Sequence, residues 1–187
     1  MRIIGGKLKG STLHLPENKD TRPLKDISRE SIFNLLMHSN KFFFEIKNSM
    51  ILDLYAGTGS FGLECLSRQA RKVCFVEKSK NAIQVLEKNI KKLKLIEKAE
   101  IVNDDIFKLI IKKKFFISKF NLIFCDPPFK DKDTNNLIDL ISNNNLLENN
   151  GIIVLHKNKN NNDKYPSYFN VIDERIYGIS KIIFGKF

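Results

Sequence analysis

Cysteine and histidine are scarce in this chain, and their scarcity argues against several classes of protein. Its 187 residues include three cysteines and three histidines. Cys65, Cys74 and Cys125 show no paired spacing, which argues against a disulfide framework or a zinc site and favours small buried apolar residues in a reducing compartment. The histidines are scattered without a ligand pattern, so we expect no metal.

Long apolar runs are absent as well. No apolar stretch approaches the roughly twenty residues that a membrane-spanning helix needs. No apolar run follows a basic start, so we also expect no signal peptide. We therefore expect a cytoplasmic protein without a membrane partner, and a chain long enough to bury a sizeable core.

Acidic residues are outnumbered by basic ones. Thirty-two lysines and arginines against 21 acidic residues give a net charge of +11, which suits an enzyme that binds a polyanion. Only six of the 32 are arginine, and the lysine runs at 91–94 and 112–114 are typical of solvated helix faces. Five other basic residues near the N-terminus are candidates for one basic surface: Arg2, Lys7, Lys9, Arg22 and Arg29.

Strand-like and helix-like segments alternate along most of the chain. Strands are predicted at 50–54, 72–76, 99–102, 120–125 and 151–156, and helices at 59–68, 79–95, 106–113 and 134–144. This alternation predicts an α/β fold with a parallel sheet covered on both faces, closed by a hairpin of strands 168–177 and 179–184. Before it, β segments at 2–4 and 8–13 and a helix at 27–38 capped by Asp26 form an extension, residues 1–47, to the larger domain, residues 48–187.

The tetrapeptide Asp126-Pro127-Pro128-Phe129 directly follows the strand predicted at 120–125. Ligands of open α/β sheets bind at the carboxyl ends of the strands. The prolines stiffen the turn and leave free carbonyls, so the Asp126 carboxylate and the turn can accept the two N–H donors of an exocyclic amine. Phe129 can stack a nucleobase for about 1–3 kcal/mol. The structural alternative is a rigid turn with a capping aspartate and a core phenylalanine.

A glycine-rich loop follows the strand at 50–54. Gly57, Gly59 and Gly62 lie between this strand and the helix at 59–68, with the spacing of the dinucleotide fingerprint G-x-G-x-x-G. Glycines allow a ligand to approach the backbone closely, and the helix presents free N–H groups. Strand, glycine loop and helix together predict a cofactor site.

The loop by itself does not separate NAD from S-adenosyl-L-methionine. Asp53 precedes the first glycine by four residues and can lie under the amino acid part of a methionine-type ligand. Glu77 ends an apolar strand about 20 residues after the first glycine, which is where an acidic residue binds the ribose hydroxyls in the fingerprint. The alternative is that Glu77 is a surface glutamate. Nicotinamide chemistry has no use for the Asp-Pro-Pro-Phe turn, so we favour a methyltransferase over a dehydrogenase.

Over nearly its full length the chain resembles the RsmD family of bacterial small-subunit ribosomal RNA guanine-N2 methyltransferases. The N-terminal segments 1–10, 21–23 and 29–34 carry the specific part of this resemblance, and segment 53–68 is similar to the family's cofactor loop. The Asp-Pro-Pro-Phe turn is shared with many N-methyltransferases, including DNA adenine enzymes. The combination of these motifs is what points to one family.

The resemblance implies a class I, Rossmann-like methyltransferase with a mostly parallel seven-stranded sheet and an antiparallel C-terminal hairpin. It implies S-adenosylmethionine as cofactor, bound by Asp53, Tyr55, Ala56, Gly57, Thr58, Gly59, Glu77, Lys78, Asp105 and Ile106. Asp105 would meet the adenine edge, with helix capping as the alternative. The catalytic residues would be Asp126, Pro127, Pro128 and Phe129. His156 stands where similar proteins usually carry glutamate, so the resemblance assigns it no role.

The implied activity is methyl transfer to a guanine N2 of 16S ribosomal RNA in the small subunit, by a monomer whose basic N-terminal extension grips the RNA. The guanine would be unpaired or flipped, because a stacked base cannot reach the cofactor. Three other functions stay open. A DNA or RNA adenine-N6 methyltransferase would share both motifs, and a methyltransferase acting on protein amides is disfavoured by the positive charge. An RNA-binding protein with a degenerate domain is discriminated by cofactor binding, since every cofactor position in the sequence is intact.

Overall fold

Five α-helices and seven strands make up the part of the chain that the structure describes. This computed structural model covers residues 1–16, 24–41, 43–111, 118–128, 133–161 and 164–187. The helices are α1 (Asp26–His38), α2 (Ser60–Ser67), α3 (Lys80–Lys92), α4 (Ile106–Ile111) and α5 (Thr134–Asn143). The strands are β1 (Met50–Leu54), β2 (Lys72–Glu77), β3 (Ala99–Asn103), β4 (Phe120–Cys125), β5 (Leu147–Asn158), β6 (Asn170–Tyr177) and β7 (Ser180–Lys186).

The seven strands form one sheet in the order β3-β2-β1-β4-β5-β7-β6. Strands β1 to β5 pair in parallel, while β7 pairs antiparallel with both β5 and β6. The two-residue connection of this last hairpin contains Gly178, whose φ of 60° suits a glycine. The predicted fold class, a mostly parallel seven-stranded sheet with an antiparallel C-terminal hairpin, is confirmed.

The central strands are buried on both faces, as parallel strands between helices are. Successive side chains of β1 enter different clusters: Ile51 packs with Phe75 and Phe124, whereas Leu52 packs with Val76 on the other side. This two-residue alternation explains why the strands read as continuous apolar runs. The parallel pairing of β1 with β2 and β4 aligns the carboxyl ends of these strands at one edge of the sheet.

The N-terminal segment forms fewer regular strands than expected. Instead of two β segments at 2–4 and 8–13, the structure has one isolated antiparallel bridge, between Arg2 and Thr12. Backbone bonds such as Ile3 N–H to Ser11 O (2.9 Å) continue the pairing on either side of the turn. Residues 5–10 between them form bends and turns instead of strand.

Helix α1 begins at Asp26, so the prediction that Asp26 caps it is wrong. Lys25 occupies the N-cap position, with no side-chain cap bond. The Asp26 carboxylate instead accepts a hydrogen bond from Arg29 one turn later, at 2.9 Å. An acidic residue in the first turn still interacts favourably with the helix dipole.

The other boundaries agree with prediction within a few residues, with one longer difference. Strand β5 begins at Leu147 rather than at residue 151, because Leu147 pairs with Phe120 before a register shift in the β4 ladder. The lysine run at 112–114 lies outside the described residues. The division of the chain at residue 47 stays a prediction.

The structure also bears on the cysteines, on membrane-spanning helices and on metal sites. All three cysteines are free and buried, and burial raises the pKa of the Cys74 thiol to about 12. None of the helices in the described ranges is long and apolar enough to cross a membrane. Within those ranges, no group of three or more His, Cys, Asp or Glu side chains could hold a metal ion.

Candidate active site

A cavity of about 570 Å³ opens at the carboxyl ends of the parallel strands. It brings together most of the predicted site: Asp53, Tyr55, Ala56, Gly57, Thr58, Glu77, Lys78, Asp105, Ile106, Asp126, Pro127 and Pro128. Phe129 lies outside the described residues, and its predicted stacking role stays a prediction. The cavity also contains lining residues that we did not predict from sequence, among them Leu24, Phe61, Phe124 and His156.

The glycine loop uses its glycines for two different purposes. Gly57 has a φ of 56°, and a Cβ there would meet nothing within 4 Å, so its backbone faces open space in the cavity. Gly59 is the N-cap of α2 with a φ of 81°, and a Cβ there would lie 2.3 Å from Leu86 Cδ1. The missing side chain of Gly59 leaves room for the core, and the contact of its backbone with a cofactor stays a prediction.

Asp53 is a buried carboxylate at the end of β1. Its Oδ2 accepts the Gly62 N–H at 3.0 Å, which satisfies one of the free donors in the first turn of α2. Burial raises the pKa of Asp53 to about 8; the Gly62 N–H opposes this shift, and Asp126 and Glu77 add to it. A cationic group of a ligand at this end of the cavity would favour the ionised form of Asp53 and lower its pKa again.

Glu77 is held in place by backbone N–H groups from two elements. Its Oε2 accepts from Gly57 at 2.8 Å, and its Oε1 accepts from Lys78 at 2.9 Å and Ser79 at 2.8 Å. An ionised carboxylate offers about four acceptor sites. One site therefore remains for a ligand hydroxyl, and the side chain is fixed before any ligand arrives.

Asp105 both caps a helix and faces the cavity. Its Oδ1 accepts the Phe107 N–H at 3.0 Å, the bond of an N-cap residue at the start of α4. Its Oδ2 pairs with Lys78 Nζ at 3.1 Å across the mouth of the cavity. The two roles considered for Asp105 are thus compatible, because each uses a different oxygen.

Asp126 lies beside His156 because the last residue of β4 pairs with the residue that precedes His156 in β5. Cys125 of β4 pairs with Leu155 of β5, so the next residues on the two strands are neighbours. His156 Nδ1 and Asp126 Oδ1 are 2.7 Å apart, and their side chains are 4% and 19% exposed. Sequence reasoning gave His156 no role, although a polar residue after the apolar run 152–155 of β5 could have revealed it.

A column of stacked rings supports one wall of the cavity. Phe61 of α2 stacks on Phe124 of β4 with centroids 3.8 Å apart and planes 12° apart. Phe33 of α1 stacks on Phe61 with centroids 5.0 Å apart. These stacked rings connect helix α1 of the N-terminal extension to Phe124, which lines the cavity.

The predicted basic surface is only partly present. Arg2, Lys7 and Lys9 are exposed on the N-terminal turn, which the Lys7 N–H ties to Ser67 O at 2.8 Å. Arg22 lies outside the described residues. Arg29 is 0% exposed, and its Nη2 donates to Arg2 O at 2.6 Å. The expectation that Arg29 belongs to an RNA-facing surface is wrong, since this guanidinium holds the N-terminal segment from inside.

The strand order, the antiparallel seventh strand and the row of acids at the ends of β1, β2 and β4 define a class I, Rossmann-like methyltransferase fold. A family model described as "Conserved hypothetical protein 95" matches residues 1–186. Ribosomal RNA small subunit methyltransferase D of Haemophilus influenzae is 34% identical over 180 residues, covering 96% of this chain and 90% of that protein. Its Escherichia coli namesake is 31% identical over 179 residues, covering 95% and 85%.

A comparison with a solved structure points to the same class of protein as these sequence comparisons. That of yhhF, a candidate methyltransferase of Escherichia coli, superposes with a TM-score of 0.82 at 29% identity, covering 99% of this chain and 96% of that one. The chain belongs to the RsmD family, as the motifs in its sequence indicated.

Proposed function

We propose that this chain methylates the exocyclic N2 amine of a guanine in the 16S RNA of the small ribosomal subunit, with S-adenosylmethionine as methyl donor. One observation carries the proposal: Asp126 and the turn Pro127-Pro128 share a single cavity with the acids of the cofactor half. An acceptor pair for an amine and a site for a methyl donor therefore meet in one enclosed space.

The residues present fit S-adenosylmethionine. Asp53 offers a carboxylate to the ligand's ammonium group, Glu77 offers its remaining acceptor site to a ribose hydroxyl, and Asp105 offers an acceptor to the adenine amine. Gly57 provides backbone without a side chain where the ligand would pass. The volume of about 570 Å³ is in the range of about 300–1,000 Å³ common for small-molecule sites.

The chemistry requires little from the protein beyond positioning. When bound, S-adenosylmethionine supplies the methyl group: its carbon–sulfur bond breaks with the electron pair staying on sulfur, while the guanine nitrogen's lone pair forms the new carbon–nitrogen bond. Asp126 and the Pro127 carbonyl would accept the two amine hydrogens, which draws the nitrogen toward a tetrahedral, more nucleophilic geometry. One of those hydrogens then leaves as a proton to Asp126 or to water. Holding the amine in line contributes much of the remaining acceleration.

Substrate class is supported by the charge of the chain and by its relatives. Two relatives are named as methyltransferases of small-subunit ribosomal RNA. The net charge is +11, and Arg2, Lys7 and Lys9 lie exposed on the N-terminal extension. Leu24 of the same extension lines the cavity. We propose that a monomer uses this extension to hold RNA, with the target guanine unpaired or flipped and stacked on Phe129.

The test is transfer of labelled methyl from S-adenosylmethionine to small ribosomal subunits that lack the modification. Naked ribosomal RNA and DNA serve as parallel substrates, and the variant D126A serves as the matched control. Nuclease digestion then identifies the labelled nucleoside. We expect label in N2-methylguanosine with the parent protein and at least tenfold less with D126A. The variant loses the hydrogen bond from the target amine to a charged acceptor, which is worth about 1.5–3 kcal/mol.

Other outcomes would contradict the proposal in different ways. Label in N6-methyladenine, in RNA or in DNA, would assign the site to an adenine amine. Cofactor binding without transfer to any of these substrates would favour an RNA-binding protein whose catalytic domain is degenerate.

A further inference from the structure

We propose that His156 is a positioning residue for Asp126. In this account the His156 Nδ1–H holds Oδ1 of the carboxylate, so that Oδ2 is presented to the target amine. The inference rests on the proposed function, because it assigns the orientation of the acceptor that the methylation step uses.

The position of His156 follows from the sheet. The pairing of Cys125 with Leu155 places the first residues after these pairs side by side at the cavity. The 2.7 Å separation of Nδ1 and Oδ1 is that of a strong, charge-assisted bond. An ionised carboxylate only accepts, so Nδ1 carries the hydrogen in this bond.

A fixed carboxylate is a better acceptor for this reaction than a mobile one. The terminal torsion of aspartate is broad and roughly two-fold, so a free Asp126 would present either oxygen over a range of angles. With Oδ1 engaged, one oxygen and one direction remain for the amine. An acceptor whose orientation is set before the substrate binds needs no reorganisation during the reaction.

The polarity of His156 is unusual for its surroundings. It lies in β5 after Ile152, Ile153, Val154 and Leu155, all buried and apolar, and is itself buried. An apolar residue would continue that run without burying a polar ring. The bond to the cavity-lining Asp126 is the feature that an apolar residue could not reproduce.

The kinetic test compares H156L with H156N. Leucine keeps an apolar side chain of moderate size without a donor, whereas the Nδ2 of asparagine lies at about the place of His Nδ1 and can donate to Asp126. At saturating cofactor and RNA, we expect H156L to reduce the single-turnover rate at least tenfold, with the cofactor Kd within threefold of the parent. H156N should recover most of that loss.

A double-variant cycle separates positioning from a general structural role. If His156 acts through Asp126, then H156L adds less than threefold to the loss already caused by D126A. Equal losses from H156L in the parent and in D126A would overturn the inference, as would a parent-like rate for H156L.

A spectroscopic test needs neither activity nor a substitution at residue 156. The chain has three histidines, and His14 and His38 are exposed, so protein with ¹⁵N-labelled histidine should show one protected imidazole N–H. We expect D126A to abolish or strongly shift that signal, and E100A, at an exposed acid elsewhere, to leave it unchanged. An unchanged signal in D126A would overturn the inference even if H156L failed to fold.

The two proposals fail differently. If the parent labels no guanine, the proposed function is wrong, whatever the histidine spectrum shows. If the parent labels guanine while H156L keeps its rate, only the role of His156 is wrong.

Discussion

Glu64 Oε1 of helix α2 accepts the backbone N–H of Gly5 at 2.7 Å. The same carboxylate accepts the Ile4 N–H at 2.8 Å and Arg68 Nε at 2.9 Å, and Glu64 is 0% exposed. Glu64, a buried acid of helix α2, thereby fixes the N-terminal turn that carries Arg2, Lys7 and Lys9. The helix approaches this turn closely, since a Cβ on Gly6 would lie 2.2 Å from Ser67 O.

The variant E64Q should release the N-terminal turn. Its amide presents one oxygen and an NH₂ group to three donors, and an unsatisfied buried donor costs about 1–3 kcal/mol. We expect a melting temperature lower by several degrees and faster amide exchange at Ile4 and Gly5. The exposed Glu97 provides the control E97Q. Equal melting of E64Q, E97Q and the parent would show that Glu64 does not hold the turn.

Asp53 should make the stability of the protein fall as pH rises. Burial raises its pKa to about 8, whereas an unfolded aspartate titrates near about 3.9. Between these values the folded state keeps a proton that the unfolded state has lost, so the free energy of unfolding decreases with increasing pH. D53N removes this term while keeping an acceptor for Gly62. In urea unfolding, the advantage of D53N over the parent should grow from pH 5 to pH 8; a constant difference would contradict this.

The variant E77A should weaken cofactor binding selectively. Loss of a charged acceptor costs about 1.5–3 kcal/mol, or roughly ten- to a hundredfold in Kd, and the Gly57 N–H also loses its partner. We expect little change in rate at saturating S-adenosylmethionine. Calorimetry measures the Kd, with the exposed acid Glu87 replaced in E87A as control. An unchanged Kd would remove Glu77 from the cofactor site.

The basic residues of the N-terminal turn, Arg2, Lys7 and Lys9, should contribute to RNA affinity by binding phosphate groups. We expect the triple variant R2A/K7A/K9A to bind RNA more weakly and with a shallower salt dependence, by about 0.7–0.9 in log–log slope for each phosphate that is no longer neutralised. The triple variant K88A/K91A/K94A removes equal charge from exposed positions on and just after α3. Equal slopes for both triple variants would place the RNA elsewhere.

Polar residues near the carboxyl end of a buried strand were the ones that the sequence could place. Asp53 lies one residue before the end of β1, Glu77 ends β2 and Asp126 follows β4, and parallel strands run to one edge, so the pattern indicated that they share a site. His156 of β5 reaches the same edge, once β5 is known to lie next to β4. Strand order, which a linear pattern does not specify, was the missing information.

Side-chain direction and burial were harder to infer. The spacing of Gly57 and Gly59 is the same whichever way each faces, and only the fold shows Gly59 against Leu86. Arg29 was predicted to join a basic surface because it is near Arg2 in the sequence, yet it is buried against Arg2 O and Asp26. A charged side chain needs hydrogen-bond or ion-pair partners, and these can be buried groups of the protein itself as well as solvent or RNA.

The measurement that tests the central claim most directly combines the single-turnover rate and the cofactor Kd of D126A. If Asp126 accepts the target amine, the rate of methyl transfer to guanine at saturating S-adenosylmethionine falls at least tenfold while the Kd stays near that of the parent. A large increase in Kd together with a parent-like rate at saturation would place Asp126 in the cofactor half of the cavity and contradict the account.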